Sequence, residues 1–569
     1  MKKMICHLKQ CGAFFLAASL IAPAIASAQS LDPKDILNPK PDAWPTYSGD
    51  YSGQRYSKLT EINTGNVHGL TLAWAQKLTG GSGGAGGGGG FGAGPAGPKT
   101  IVNGIGKTEA PMGSIKGAML QVDGVLYVTT PDNVWALDAL DGHEIWHYLW
   151  KTRGGTHIGN RGVGIWHDRL FFETPDDVLI ALDTRTGKEI WHKDIASFDL
   201  QYFSTMAPIV IGNHLLVGTG NDSDEAGLLQ SFNPETGEVE WKWYATPQNP
   251  GDPGLDTWKD LDAARHGGGN VWVPGSFDPE THLYIFGTAN PTAAYTSQMR
   301  GPGANLFTCT LVALNIDTGK MAWYYQTSPH DTHDFDSAQT PVLVDGDFNG
   351  KPRKLVMTAA RNGYFFVLDR TTGEHLLTSK LVDSPNWAEA ALDKNGAPQR
   401  VPAKDYDLGG SLVSPANGGI VNWPPPAYSP QTGYFYAHAS ESYAMYYLAT
   451  TDPRGAMGLG GKDELSVGSL GSYLIAMDYK TGKPAWKHRY PGIAGGGPGG
   501  SLTGLLTTAG HLLFASDARG NLVAHDAATG KALWYSRVNP TNAPETYMLE
   551  GHQYVMVGGG DTVYAFRLQ

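Results

Sequence analysis

Three carboxylates lie close together in one short stretch of this sequence, where they could bind a metal ion or accept a proton. Asp331, Asp334 and Asp336 fall within six residues, and on a strand the second and third would point to the same side. Carboxylates forced together repel one another unless a cation or a proton intervenes. A hard cation with oxygen ligands, to which Asn290 would add its amide oxygen, is the natural partner. The alternative is a solvated acidic loop, and the local pattern leaves both interpretations open.

A tryptophan that follows three glycines is the best candidate for holding a flat ligand. Trp272 comes three residues after the run Gly267–Gly269. Glycines let the backbone approach closely beneath the indole ring, whose broad face could stack on a planar group. The alternative is a tryptophan that packs between structural units, but Trp272 lies outside the repeat described below. We therefore favour the ligand-binding interpretation.

Two arginines stand beside turns that precede apolar strands. Arg161 and Arg361 could each bind an anionic ligand group, because a guanidinium pairs bidentately with carboxylates; a structural surface role is the alternative for each. The 18 histidines show no metal-ligand spacing, and no zinc-protease, nucleophile-elbow, phosphate-loop or dinucleotide motif occurs. The sequence therefore gives no support to NAD chemistry or to hydrolysis by those known motifs.

The elements that must position these residues repeat along the chain. A turn signal in which Asp or Asn precedes Gly by four residues occurs seven times, and in six copies a Trp follows four residues after the Gly. The gaps between successive glycines are 45, 50, 82, 54, 109 and 48 residues, so the two longest leave room for a degenerate copy or an insertion. Each copy is a strand end, a tight turn and a second strand with a large aromatic. The pattern predicts an all-β fold, an eight-bladed β-propeller with tryptophan-containing repeats. The glycines of the seven copies are Gly142, Gly187, Gly237, Gly319, Gly373, Gly482 and Gly530.

The composition agrees with a single propeller domain over residues 29–569. The chain holds 75 Gly, 36 Pro and 16 Trp with only 17% charged residues, which suits many turns and packed sheets. Residues 80–98 are rich in glycine and are expected to form a mobile surface loop, with an active-site lid as the alternative. We expect the last strand, near residues 562–566, to pair with an early strand and so remove a free sheet edge.

The first 28 residues are typical of a cleaved secretory signal. Lys2, Lys3 and Lys9 accompany an apolar stretch that runs to Ile25, and small residues precede a cut after Ala28. A membrane anchor is the alternative, but the apolar stretch is short and contains a proline. We therefore predict export to the periplasm, and no later segment is apolar for long enough to span a membrane.

The net charge of the chain limits which binding partners are expected, and its cysteine content limits which covalent links are expected. A formal net charge of −12 favours neither nucleic acid nor an anionic membrane, and would suit a basic protein partner. Cys6 and Cys11 fall within the signal, so Cys309 would be the one cysteine of the mature chain, which then forms no internal disulfide. The Cys-x-x-Cys-His motif of c-type haem attachment is absent from the sequence.

Together these residues give the sequence a specific likeness. The stretch that begins Trp44…Tyr47-Ser48-Gly49-Asp50, with the clusters above, resembles the quinoprotein alcohol dehydrogenases, and the likeness covers essentially the whole mature chain. Members of this family, of which methanol dehydrogenase large subunits are the best known, are periplasmic eight-bladed propellers that carry pyrroloquinoline quinone (PQQ). The resemblance implies PQQ and one metal ion as cofactors.

The resemblance implies a role for each candidate. Trp272 resembles the tryptophan that stacks under PQQ, and Asn290 resembles the metal-binding asparagine. Asp334 resembles the catalytic aspartate, while Arg361 resembles the arginine beside the reactive quinone oxygen. Three further residues match contacts to the cofactor: Arg161, Thr205 and Asn422.

The resemblance also bears on the metal. An aspartate two positions after the catalytic one, here Asp336, resembles the lanthanide-dependent branch of the family. A trivalent ion attracts one more carboxylate than Ca²⁺ does, so a lanthanide is favoured and Ca²⁺ is the alternative. The family's metal-binding glutamate is matched by Asp222, with Asp224 as a second choice. Two departures are the missing adjacent-cysteine disulfide, which leaves His157 or backbone to cover the other PQQ face, and Lys116 in place of a usual glutamate.

The sequence thus predicts a periplasmic PQQ-dependent enzyme that oxidises an alcohol to an aldehyde or ketone. Asp334 would take the alcohol proton as hydride passes to the quinone, whose carbonyl the metal and Arg361 would polarise. Electrons would pass singly to a separate soluble c-type cytochrome, and a homodimer stays open. The alternative is a non-enzymatic propeller scaffold of the cell envelope, for which no clustering of Trp272, Asn290, Asp334 and Arg361 around one cavity is expected.

Overall fold

A computed structural model describes residues 30–78, 113–153, 159–220, 225–448, 462–490 and 503–569. The predicted signal (1–28), the glycine-rich stretch (80–98), the metal-ligand candidates Asp222 and Asp224, and His157 lie outside these residues. None of the helices in these ranges is long and apolar enough to cross a membrane. The described helices are short: an α-helix at Leu261–Arg265 and 3-10 helices at Pro33–Leu37, Val67–Gly69, Phe198–Leu200, Leu255–Thr257 and Pro402–Lys404.

Strands are the dominant regular element of the described chain, as predicted. The first eighteen are β1 Tyr56–Ser57, β2 Leu70–Lys77, β3 Leu120–Val122, β4 Val125–Thr130, β5 Asn133–Asp138, β6 Glu144–Leu149, β7 Gly164–Trp166, β8 Arg169–Glu173, β9 Val178–Asp183, β10 Glu189–Asp194, β11 Ile209–Ile211, β12 His214–Gly218, β13 Leu228–Phe232, β14 Val239–Tyr244, β15 Ser276–Asp278, β16 Leu283–Gly287, β17 Thr310–Asn315 and β18 Met321–Gln326. The others are β19 Val342–Phe348, β20 Lys351–Ala359, β21 Tyr364–Asp369, β22 His375–Lys380, β23 Ala388–Leu392, β24 Pro398–Arg400, β25 Ser411–Val413, β26 Ala427–Ser429, β27 Tyr434–Leu448, β28 Lys462–Asp478, β29 Lys483–Tyr490, β30 Leu506–Thr508, β31 Leu512–Ser516, β32 Asn521–Asp526, β33 Ala532–Arg537, β34 Glu545–Leu549, β35 His552–Gly559 and β36 Thr562–Leu568.

Consecutive strands pair antiparallel into sheets of four, the repeat unit that the turn signals predict. Five sheets follow chain order without exception: β3–β6, β7–β10, β11–β14, β15–β18 and β19–β22. Within the described ranges three further large sheets complete the set, formed by β25–β29, by β30–β33 with β1, and by β34–β36 with β2, beside the small β23–β24 hairpin. The pairing of β2 with β36 joins the two ends of the chain, as predicted. The number of blades stays a prediction.

Five of the six repeat tryptophans pack on the glycine turn of the next repeat. A Cβ built on Gly187 would lie 2.5 Å from the Trp146 ring, whose Nε1 donates to the carbonyl of Thr184 at 2.9 Å. The Gly373 repeat lacks the tryptophan, and there Leu377 takes its place against Gly482. The aromatic residue and the glycine are therefore required as a pair that links neighbouring sheets. Four more such pairs are Trp191–Gly237, Trp241–Gly319, Trp323–Gly373 and Trp486–Gly530.

A glycine-to-alanine comparison tests this packing. Gly187 and Gly212 both have positive φ, +65° and +58°, but a Cβ on Gly212 would meet nothing within 4 Å. Both alanine variants should lose about 1–2 kcal/mol of unfolding free energy from backbone strain. Gly187→Ala should lose about 1–3 kcal/mol more, because its new methyl group overlaps the Trp146 ring. Denaturant unfolding of the two variants would measure the difference, and equal losses would contradict the pairing.

A segment near the N-terminus forms hydrogen bonds with one strand from each of four sheets. Its carbonyl groups accept hydrogen bonds of 2.8 to 2.9 Å from residues of β15, β19, β26 and β30 in turn. Because these four strands belong to four different sheets, one short segment ties them together where they converge. The bonds run from Phe277 N to Tyr51 O, Leu343 N to Ser52 O, Tyr428 N to Gln54 O, and Thr507 N to Arg55 O.

Arg55 of the same segment is completely buried. Its guanidinium and Nε donate to the carbonyls of Tyr47 (2.7 Å), Leu505 (2.7 Å) and Pro544 (2.8 Å). Its Nη2 lies 3.7 Å from Oε1 of the equally buried Glu545. One side chain therefore joins the N-terminal segment to two C-terminal stretches of the chain.

Candidate active site

The candidate residues meet because they occupy equivalent links of different sheets. Arg161, Thr205, Trp272 and Asp334 each lie in the segment that leads into the first strand of a sheet, and Asn422 lies in the segment between β25 and β26. Asn290 and Arg361 each follow the second strand of a sheet. In an antiparallel sheet the first strand begins at the edge where the second ends. Both kinds of link therefore project from the same edge of their sheets.

The acidic stretch is a buried loop between β18 and β19, which rules out the solvated alternative. The side chains of Asp334 and Asp336 are only 4% and 3% exposed. The expectation that they share one face of a strand is wrong, because Asp334 has a φ of +67°, in the left-handed region. Asp331 holds this conformation: its Oδ2 accepts hydrogen bonds from the backbone N–H groups of His333, Asp334 and Phe335 at 3.3, 2.9 and 3.2 Å.

One guanidinium brings the two carboxylates together. Nη1 of Arg361 lies 2.8 Å from Oδ1 of Asp334, and its Nη2 lies 3.1 Å from Oδ2 of Asp336. The ion pairs offset part of the cost of burying these charges. The carboxylates of Asp334 and Asp336 and the guanidinium of Arg361 together carry a formal charge of −1. These oxygen donors could therefore bind a further cation.

Asp336 links three of the predicted site residues. Its Oδ2 accepts a hydrogen bond from Nε1 of Trp272 at 3.1 Å, and its Oδ1 accepts one from the backbone N of Asn290 at 2.7 Å. The Asn290 amide donates through Nδ2 to the carbonyl of Pro291 at 3.0 Å, which leaves its oxygen as the atom it can offer a metal. Trp272, Asn290, Asp334 and Arg361 therefore cluster, which the scaffold alternative did not expect.

The glycine run before Trp272 allows the backbone to approach a neighbouring segment closely. A Cβ on Gly268, whose φ is +74°, would lie 2.6 Å from Oγ1 of Thr292, and the N–H of Gly269 donates to the carbonyl of Asn290 at 3.0 Å. The close approach expected at this run is therefore made to residues 290–292. This contact holds the segment before Trp272 against the segment that begins at Asn290.

Arg161 lies over the aromatic rings of the site. Its Cζ is 4.6 Å from the centroid of Trp272 and 4.8 Å from that of Trp423, and its Nη1 donates to Oγ1 of Thr205 at 2.6 Å. Burial lowers the pKa of Arg161 to about 10. Among the described residues no carboxylate lies within 4 Å of it, and its buried Nε has no hydrogen-bond partner there. A buried cation with this surrounding is suited to pair with an anion that is not among the described residues.

The Asn422 side chain forms its hydrogen bonds within its own loop. Its Nδ2 donates to the carbonyl of Gly418 at 2.9 Å, and its Oδ1 accepts from the N–H of Trp423 at 2.7 Å. The neighbouring Trp423 is the residue that contacts Arg161. Sequence reasoning missed it, although its position outside the tryptophan repeat, which had identified Trp272, was the available signal.

Tyr295 is a second residue that the sequence did not indicate. Its buried hydroxyl lies 3.4 Å from Oδ2 of Asp334, and Nδ2 of Asn417 donates to that hydroxyl at 3.4 Å. Burial, reinforced by the Asp334 charge, raises the pKa of Tyr295 well above its ordinary value, so the phenol stays protonated as a donor. Burial lowers the pKa of His333 to about 4, so this neighbour is neutral near pH 7.

Comparison with known proteins decides the family. A family model described as PQQ, glucose/ethanol/alcohol dehydrogenase, β-propeller domain, matches residues 44–386 and 472–555. The chain belongs to the PQQ-dependent alcohol dehydrogenase family. Membership confirms the resemblance drawn from the sequence, and the scaffold alternative is set aside.

Named members of the PQQ-dependent family align over most of the chain. The quinohemoprotein alcohol dehydrogenase of Comamonas testosteroni is 32% identical over 98% of this chain and 79% of its own. The quinoprotein alcohol dehydrogenase PedH of Pseudomonas putida is 32% identical over 96% of this chain and 90% of its own. Among solved structures, the Comamonas testosteroni enzyme superposes with a TM-score of 0.82 at 30% identity, covering 95% of this chain and 83% of its own. A europium-containing methanol dehydrogenase gives 0.81 at 25% identity, with 94% and 99% covered.

The residues present fit the cofactors of the PQQ-dependent family. PQQ is a planar polycarboxylate, and the site offers the partly exposed Trp272 ring beside the Nε of Arg161 that lacks a partner within the described chain. The oxygen donors and net negative charge around Arg361 match a hard cation. Both groups therefore have chemically suitable residues here.

Proposed function

We propose that this chain is an exported PQQ-dependent dehydrogenase that oxidises an alcohol to an aldehyde or ketone with the help of one metal ion. The observation that carries the proposal is the cluster in which Asp336 binds Trp272, Asn290 and Arg361, while Arg361 binds Asp334. Family membership and the alcohol dehydrogenase names of the relatives support the reaction class.

Asp334 is the proposed base. When bound, PQQ supplies the quinone that takes up the two electrons of the oxidation. The proton of the alcohol hydroxyl goes to the Asp334 carboxylate, whose Oδ1 is held by Arg361 and whose Oδ2 faces the Tyr295 hydroxyl. Because donors hold both oxygens before substrate arrives, little reorganisation is needed at the moment of transfer.

Five residues would hold PQQ. Arg161 would pair with one of its carboxylates, and Thr205 would keep the guanidinium in place through the 2.6 Å bond to Nη1. Trp272 would offer its ring face, and Asn422 would add one further contact to the cofactor. Arg361 would both contact the cofactor and orient Asp334.

Asn290, Asp334 and Asp336 would hold the metal, together with Asp222 from outside the described residues. We favour a lanthanide, with Ca²⁺ as the alternative, because the additional carboxylate of Asp336 suits a trivalent ion. The europium in the name of one structural neighbour supports testing this choice.

An Asp336→Asn variant should separate the two metals. The amide keeps an oxygen to accept from Asn290 or Trp272 but removes one negative charge, so La³⁺ should lose more than Ca²⁺. We expect La³⁺-supported turnover to fall at least about tenfold further, since tenfold is only ~1.4 kcal/mol and one charge pair at ~4 Å is worth ~4 kcal/mol near a protein surface. Turnover measured at several concentrations of each metal would check this. Equal losses with both would assign Asp336 a positioning role.

The proposal extends to the setting of the enzyme. Eight sheets of four or five strands among the described residues support an eight-bladed ring closed by β2 on β36. The signal-like first 28 residues support export to the periplasm, and the lack of a haem attachment motif supports a separate c-type cytochrome as electron acceptor. A homodimer is left open.

The deciding experiment is dye reduction by metal-stripped protein supplied with PQQ and either Ca²⁺ or La³⁺, over a panel of primary and secondary alcohols. Turnover that needs La³⁺ would support both the cofactor and the metal assignment. Turnover with Ca²⁺ alone would keep the reaction and remove the lanthanide. Failure to bind PQQ with either metal would overturn the proposal.

A further inference from the structure

Residues 387–471 lie between the two stretches that the family model matches. We call this region the added segment; its described parts are 387–448 and 462–471. They include the β23–β24 hairpin, β25, β26, β27 and the start of β28. The added segment packs against the loop that carries Asp334.

Two hydrogen bonds tie the added segment to the residues just before Asp334. Oγ1 of Thr332 donates to Oδ1 of Asp405 at 2.7 Å, and Nε2 of His333 lies 2.7 Å from the carbonyl oxygen of Lys404. Thr332 and His333 are 2% and 1% exposed, so both hydrogen bonds are made by buried residues of the loop. The second carboxylate oxygen of Asp405 pairs with Arg400 of the added segment.

Aromatic contacts extend the same interface to Tyr295, whose hydroxyl faces Asp334. The ring of Tyr406 lies 4.7 Å from that of Tyr295, and Nδ2 of Asn417 donates to the Tyr295 hydroxyl. Trp387 packs against Phe335 with ring centroids 5.3 Å apart. The added segment therefore contacts the loop before and after Asp334, as well as a residue that faces its carboxylate.

We propose that Asp405 is a positioning residue for the base, acting through Thr332. This inference rests on the proposed function, in which Asp334 accepts the alcohol proton. Asp334 has a left-handed backbone conformation, which hydrogen bonds around it must maintain. A catalytic group displaced by about 1 Å can cost ~100-fold in rate, so a lost tether two residues away should be visible in turnover.

The test compares four variants with a matched control. Asp405→Ala removes the acceptor, Asp405→Asn keeps an oxygen for Thr332, and Thr332→Val removes the donor at nearly constant shape; the fourth combines Asp405→Ala with Thr332→Val. The control is Asp407→Ala, an exposed aspartate whose Oδ1 accepts from the N–H of Gly409 in its own turn. Turnover number and KM for the best alcohol are measured with PQQ and metal saturating. Hydrogen exchange of the 331–336 amides is measured without either cofactor.

We expect Asp405→Ala and Thr332→Val each to lower turnover about tenfold with KM within about twofold, and the double variant to be no slower than either. Asp405→Asn should restore most of the rate, and Asp407→Ala should match the wild type. Hydrogen exchange of the His333–Phe335 amides should be faster than in the wild type in Asp405→Ala. It should be unchanged in the control Asp407→Ala. Additive losses, or a KM effect alone, would overturn the proposal.

The hydrogen-exchange arm separates failure of the inference from failure of the proposed function. Unchanged exchange in Asp405→Ala overturns the positioning role whether or not the wild type oxidises alcohols. Wild-type protein that lacks PQQ-dependent turnover overturns the function, and with it the assignment of Asp334 as the base that Asp405 positions. If Asp405→Ala does not fold, Thr332→Val carries the same comparison.

Discussion

Replacing Asp334 by asparagine should lower alcohol turnover by roughly a thousandfold, within the ~10²–10⁴ range of general-base catalysis, while PQQ remains bound. Asparagine matches the shape of aspartate and can still accept a hydrogen bond from Arg361 through its oxygen, so the cluster keeps most of its geometry. It has no carboxylate to accept the alcohol proton. The loss should therefore fall on the chemical step.

Three measurements would check this expectation: dye reduction, PQQ binding followed by absorbance, and thermal unfolding. Asp407→Asn, which makes the same chemical change at an exposed turn, is the matched control and should leave turnover unchanged. Undiminished turnover in Asp334→Asn would remove Asp334 as the base. Loss of PQQ binding together with turnover would instead indicate that the carboxylate mainly holds the cofactors.

Replacing Arg55 by methionine should lower the free energy of unfolding by about 3–5 kcal/mol, because three buried carbonyl groups lose their donor and each unsatisfied buried acceptor costs about 1–3 kcal/mol. The change strips three carbonyl groups of their shared donor and leaves Glu545 without its cation. Burial already raises the pKa of Glu545 to about 8, with Arg55 opposing that rise. Without Arg55 the carboxyl should stay protonated to still higher pH.

Denaturant unfolding at pH 7 would measure the loss. Arg185→Met, at an arginine whose side chain is 55% exposed, is the control and should change stability by less than about 0.5 kcal/mol. Adding Glu545→Gln to Arg55→Met should change the stability little further at pH 7, because a carboxyl with a pKa of about 8 or higher is already mostly neutral there. A loss below about 1 kcal/mol in Arg55→Met would show that the three carbonyls find other donors.

The repeat architecture could be predicted because most of the sheets contain the same short local sequence motif. A turn glycine and the tryptophan four residues later each contact a neighbouring repeat, so the four-stranded units could be recognised in the sequence. Leu377 shows the limit of this signal, since a different apolar residue fills the same place and the motif alone does not reveal it. The pairing of β2 with β36 was foreseen from the need to remove an edge.

The site was predictable only in part, for a physical reason. Asp334, Asp336, Trp272, Asn290 and Arg361 carry recognisable chemistry or family motifs, and the structure brings them together. The roles of Tyr295, Trp423 and Asp405 depend on contacts between positions far apart in the chain. No repeat in the sequence indicates such contacts. The strand expected at Asp334 failed because three backbone bonds to Asp331 outweigh local preference.

The position of Arg55 also has a consequence for the order of events during biosynthesis. Its partners Leu505 and Pro544 lie 450 and 489 residues further along the chain. The earliest part of the fold therefore cannot finish until nearly the whole polypeptide is present, and contacts of such long range are slow to form. A nascent chain would have its middle sheets built while the Arg55 side chain still lacks its partners at Leu505 and Pro544. Completion of this enzyme is thus a late event, set by arrival of its final strands.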